Sequence, residues 1–165
     1  MSSPIRIKSK LDQESVWDYP RPPRLEPVLE TLKVMFAGTV VAQTRSGYRV
    51  LETSHPPVYY IPRGDVVGEF IVKAPGSTYC EFKGRAEYWS LQVSGLLSKR
   101  AAWSYPAPTP AFRLIANHLA FYASRVAACW VGDERVKPQH GDFYGGWITE
   151  RILGPFKGGP GTRGW

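Results

Sequence analysis

LKVMFAGTVVAQT, residues 32–44, decides the fold class. Leu32 to Phe36 and Thr39 to Thr44 are short apolar and β-branched runs on either side of an Ala37-Gly38 break, the pattern of two strands joined by a tight turn. Outward from that hairpin the same pattern recurs. Tyr48 to Thr53, Val58 to Ile61, Glu69 to Val72, Thr78 to Lys83, Ala86 to Val93 and Val126 to Val131 read as strands, the last turning at Gly132-Asp133 into Glu134 to Val136. This spacing suits antiparallel meanders. One stretch differs: Thr109 can serve as N-cap, Pro110 as first helical residue, and Phe112, Ile115, Leu119 and Tyr122 recur at helical spacing. The expectation is a mainly β fold, a compact single-domain antiparallel sheet or barrel-like sandwich, with one short helix over about 110–123.

Residues 1–27 read as an extended proline-rich N-terminal arm packed on a β-rich body of residues 28–165. Pro20, Pro22, Pro23 and Pro27 argue against a regular ladder or helix there. Trp17 and Tyr19 are expected to pin the arm to the body; a PxxP-type segment offered to a partner is the alternative. Ser104 to Pro108 and Lys137 to Gly146 are loops rich in proline, glycine and aromatics. The glycine-rich tail Gly154 to Gly164 needs outside contacts to hold it.

A chain of 165 residues fits one domain, and a domain of this size buries roughly 70% of the surface its unfolded chain exposes. Cys80 and Cys129 stand far apart in apolar contexts, which suggests neither a disulfide framework nor a zinc site. With no apolar run after Arg6, Lys8 and Lys10, and no stretch of about 18 apolar residues, a soluble, cytoplasmic protein with no membrane segment is expected. The formal charge of +7 is scattered, with only Lys99 and Arg100 adjacent among its basic residues. That favours a solvated surface over a nucleic-acid groove.

Several segments together carry a family resemblance: ESVWDYPRPPRLEP at residues 14–27, ETSHPPVYYIPRGDV at 52–66, TYCEFKGRAEYWS at 78–90 and AAWSYPAP at 101–108. AFY at 120–122, GDFYGGWIT at 141–149 and GPFKGGPGTRGW at 154–165 complete the set. In combination they resemble the long form of the domain of unknown function 427 family, also labelled nucleotidyltransferase-like. The resemblance implies a compact, mostly β fold with polar and aromatic motif residues, and no particular activity. Phe82 departs from the pattern, in which tryptophan is more usual. The nucleotidyltransferase label has no footing in these residues, since there is neither a Gly-Lys-Ser/Thr phosphate loop nor a paired-aspartate two-metal strand.

Candidate chemistry gathers around the third of these segments. Strand alternation would place Tyr79, Glu81 and Lys83 on one face and Cys80 and Phe82 on the other. Lys83 and Glu87 read either as a surface ion pair or, with Tyr79, as polar anchors of an aromatic-walled pocket. His55, fixed by Pro56-Pro57, is a general base or a turn cap. Cys80 is a packed thiol or, less in keeping with its surroundings, a nucleophile. The catalytic set is therefore Lys83, His55, Glu87 and Cys80, with Tyr59, Tyr60, Asp65, Tyr79, Trp103, Tyr105, Asp142 and Tyr144 as ligand contacts. No metal is assigned, although His140 and Asp142 offer two ligands, and no cofactor is expected because no dinucleotide fingerprint is present. The expected partner is a small polar or anionic molecule, possible acid/base or hydrolytic chemistry included; the alternative is a macromolecular interaction module without catalysis. The pocket reading requires Lys83 and His55 to share one cavity.

Overall fold

The computed structural model describes residues 13–141 and 143–165. Among them, strands dominate and form several mostly antiparallel sheets, none of which closes into a barrel. The first hairpin forms where it was expected. Leu32–Phe36 pairs with Thr39–Thr44, and Ala37 and Gly38 turn with φ of 53° and 72°. Two successive left-handed residues match the twist of the flanking strands, which is why this turn type closes hairpins. Ala128–Val131 pairs on the other side of Leu32–Phe36, and Glu134–Arg135 completes this four-stranded sheet. Leu32, Val34, Val41 and Cys129 point inward from it, meeting Ile61, Leu91, Leu119, Phe121 and Trp147 in a largely aliphatic core.

A second four-stranded sheet runs in the order Leu119–Phe121, Leu96–Ser104, Gly84–Val93, Ile71–Cys80. Leu96–Ser104 escapes a reading by alternation because Ser98, Lys99 and Arg100 interrupt its apolar run. Arg100 also has a left-handed φ of 49°, beside a register shift in the partner strand between Trp89 and Leu91. Three residues, Lys99, Arg100 and Ala101, there oppose the single Ser90, which interrupts the ladder and its alternation.

The expected helix is shorter and of another type. Pro110 does open it, but it is a 3-10 segment ending at Ile115, and Asn117 follows at φ 60°. Leu119–Phe121, expected within the helix, is a strand paired with Ala102–Ser104. All three of its residues are buried, and a short run buried on both faces carries no periodicity that separates strand from helix. Thr109 makes no side-chain cap to that segment.

Arg24–Pro27 pairs with Tyr48–Leu51, which pairs with Val58–Tyr60. Despite the prolines a ladder forms, because Pro27 terminates an edge strand whose missing N–H has no neighbour to bond. An isolated bridge between Ile61 and Leu119 joins this sheet to the second one. Before it, Glu14–Ser15 lies parallel to Ile152–Leu153. Trp17 donates its indole N–H to the Pro155 carbonyl at 2.8 Å, and its ring meets Trp165 edge-on at 5.4 Å. No helix among the described residues is long and apolar enough to cross a membrane.

Candidate functional site

Thr78 to Lys83, read as one strand, is instead the end of a strand and the turn after it. Cys80 pairs with Gly84, and residues 81–83 turn between them. Face alternation therefore stops at Cys80, and Tyr79, Cys80, Glu81, Phe82 and Lys83 all border one cavity of about 310 Å³. That volume is at the lower end of the range for small-molecule sites.

The turn is clamped from outside. Gly84 sits at φ 106°, with its α-carbon so near the next loop that a β-carbon would come within 3.4 Å of the Ala107 carbonyl. From that loop the Thr109 N–H donates to the Lys83 carbonyl at 3.1 Å, and the Thr109 hydroxyl donates to the Phe82 carbonyl. Thr109 thus fixes the backbone that carries Lys83.

Of the polar candidates, Lys83, His55 and Cys80 line the cavity, and of the aromatic ones Tyr60, Tyr79, Trp103, Tyr105 and Tyr144 do. Tyr59, Asp65 and Glu87 are not among its lining residues. Tyr59 points to the opposite face of its strand from Tyr60 and stacks on Trp147 at 5.1 Å. Asp65 is exposed and accepts from the Thr44 hydroxyl at 2.7 Å. Glu87 alternates with the cavity-lining Ala86 and Tyr88, so its carboxylate faces away, toward Lys73 at 3.1 Å and Arg85 at 3.3 Å. Asp142 lies outside the described residues.

Tyr88, Tyr122, Gln139, Phe143 and Lys157 also line the cavity without having been singled out. Tyr88 was accessible by alternation from Ala86. Gln139, Phe143 and Lys157 come from irregular loops, where sequence carries no facing signal. The loop from Gln139 to Gly146 crosses the cavity and closes on itself: the Gln139 N–H donates to the Gly146 carbonyl, and the Gly146 N–H to Gln139 Oε1, both at 3.0 Å. Its glycines allow close approach to protein, since a side chain on Gly145 would collide with the Trp103 indole.

That loop also sets the protonation of His55. With Gln139 Oε1 occupied by Gly146, the amide Nε2 faces the Lys157 carbonyl at 2.7 Å and His55 Nδ1 at 3.3 Å. Nδ1 is therefore an acceptor, and the imidazole carries its proton on Nε2, 3.9 Å from the Glu52 carboxylate. Burial, reinforced by the Lys157, Arg21 and Lys83 charges, lowers the His55 pKa to about 4. The ring is neutral near pH 7.

Rings fill the rest of the wall. Tyr60 is fully buried and lies 6.5 Å from Trp103 and 6.4 Å from Tyr105, while Trp103 is 4.6 Å from Tyr122. The Tyr60 hydroxyl has no hydrogen-bond partner, and burial pushes its ionisation well up. Lys83 is 9% exposed. Its ammonium meets no carboxylate or hydrogen-bond acceptor among the described residues; the rings of Tyr105 and Phe112 lie 6.0 and 5.9 Å from it. Among the described residues no group of three or more His, Cys, Asp or Glu side chains converges as a metal site would.

Residues 24–132 match the family described as Domain of unknown function (DUF427). The chain belongs to that family. No curated protein matches it. Within the DUF427 match lie His55, Tyr60, Lys83, Trp103, Tyr105 and Tyr122, whereas Gln139, Phe143, Tyr144 and Lys157 follow it. Both parts of the chain therefore build the cavity of this DUF427 protein: the matched part brings Lys83 and most of the aromatic wall, and the part after it brings the crossing loop.

Proposed function

We propose that the cavity binds a small anionic molecule, with Lys83 as its counter-charge and the surrounding rings as its walls. One observation carries this reading: a cavity-lining lysine, 9% exposed, without a carboxylate partner among the described residues. An uncompensated buried charge is costly, and an anionic ligand within the cavity would relieve that cost. His55 borders the cavity beside Glu52, but with Nδ1 taken by Gln139 and the proton on Nε2 its neutral ring has no free lone pair for an acid/base or hydrolytic step. Burial of the rings favours this reading over a macromolecular interaction module, which would spread them on an accessible face. Free thiols at Cys80 and Cys129 accord with a reducing, cytoplasmic setting.

Isothermal titration calorimetry with benzoate and its neutral counterpart benzamide tests the proposal. Benzoate is expected to bind the wild type at least tenfold tighter than benzamide, and Lys83→Met is expected to remove that preference. Equal affinity for the two probes, or a charge preference that survives Lys83→Met, overturns it.

A further inference from the structure

Most polar groups around the cavity are already engaged. The Tyr88 hydroxyl is 2.8 Å from that of Thr78, and the Tyr122 hydroxyl donates to the Phe143 carbonyl at 2.9 Å. His55 Nδ1 faces Gln139, Glu52 faces Arg21 at 3.6 Å, and Lys157 Nζ donates to the Trp165 carbonyl at 3.3 Å. Glu81 is exposed at the rim. Among the described residues, what remains for recognition inside is the Lys83 ammonium together with ring donors such as the Tyr105 hydroxyl and the Trp103 indole N–H. A ligand with many polar groups, such as a sugar or a nucleotide, would bury several of them without partners.

The rim is different in character. Of the large hydrophobic side chains exposed among the described residues, two are aromatic, Tyr79 at 77% and Phe143 at 61%. Both line this cavity, Tyr79 from the hairpin that carries Lys83 and Phe143 from the crossing loop. Exposed aliphatic residues scattered elsewhere need no explanation. Two exposed rings from separate segments bordering one cavity form an apolar exit from it.

We infer that the ligand is an amphiphile: one anionic head held at Lys83, and an apolar chain or ring system long enough to pass Tyr79 and Phe143 on its way out. This rests on the anion-binding reading above and adds the chemistry of the rest of the molecule. Charge complementarity sets the head; the ring-lined wall and the two exposed rings set the tail.

Straight-chain carboxylates from hexanoate to dodecanoate, each below its micelle concentration, are titrated into the full chain by calorimetry, with benzoate as the short reference. In the wild type, affinity is expected to rise about fourfold per added methylene, the gain expected for burying one. In the Tyr79→Ser/Phe143→Ser variant that gain is expected to flatten for the longest chains. Affinity independent of chain length, with benzoate still bound, overturns the amphiphile while leaving anion binding standing. Failure of benzoate and of every carboxylate removes the anion reading itself. Binding to vesicles of anionic phospholipid without binding of free carboxylates also overturns the inference. The wild-type length series decides even if the double variant does not fold.

Discussion

Two clusters of buried side chains meet at adjacent residues of one strand, Tyr59 belonging to the first and Tyr60 to the second. In the first, around Leu32, Val34, Ile61 and Leu91, no buried side-chain polar atom lacks a partner, and the Trp147 indole N–H bonds the Phe121 carbonyl at 2.9 Å. The second is mostly aromatic, holds an unpaired hydroxyl at Tyr60, and borders both Lys83 and the cavity. The contrast separates two jobs within a single fold. Close-packed, satisfied side chains hold the sheets together, whereas the aromatic cluster surrounds the cavity in which a ligand is proposed.

The largest expected effect tests the first cluster. Trp147 is fully buried and stacked on Tyr59, so Trp147→Ala should cost about 4 kcal/mol, read by urea denaturation with circular dichroism. A loss below about 1 kcal/mol would break the comparison. Next comes the pH response of the second cluster's border. The His55 pKa is about 4 in the fold and about 6.5 in the unfolded chain, so between these values the unfolded state binds more protons. Stability is then complete above about pH 6.5 and falls by about 3 kcal/mol as pH drops through 4. His55→Gln should flatten that window in pH-dependent urea denaturation; an unchanged acid slope would show that His55 is not its source. Smallest is Tyr60→Phe. Removing an unpaired hydroxyl should change stability by less than about 1 kcal/mol, read by the same urea denaturation. A large stability loss there would show that the hydroxyl is satisfied after all.

Much of the sheet architecture was legible because strands such as Leu32–Phe36 and Thr39–Thr44 have their own turn chemistry between them. Leu119–Phe121 was not, since a three-residue run buried on both faces has the same apolar signature in either conformation. Leu96–Ser104 was hidden by its irregularity at Arg100. The cavity was legible in part for a related reason. Lys83, Tyr79 and Cys80 were found as neighbours in one motif, although the turn at 81–83 replaced the alternation assumed for them. Glu87 was misplaced by one face, and Asp65 by a hydrogen bond to Thr44. Gln139 and Lys157 reach the site from loops whose course is set by tertiary contacts, not by any local pattern.

The stitching of the described ends carries a consequence for how this cavity comes into being. Trp17 bonds Pro155 across 138 residues, and Glu14–Ser15 pairs with Ile152–Leu153. Contacts of such high contact order close late and slowly. On the ribosome, Lys83 and its hairpin are made long before Gln139, Tyr144 and Lys157 emerge, so the nascent chain presents the hairpin, with its exposed Tyr79, without the loop that crosses it. A chain released short of that loop would lose its site together with Trp147, the largest buried side chain of the first core.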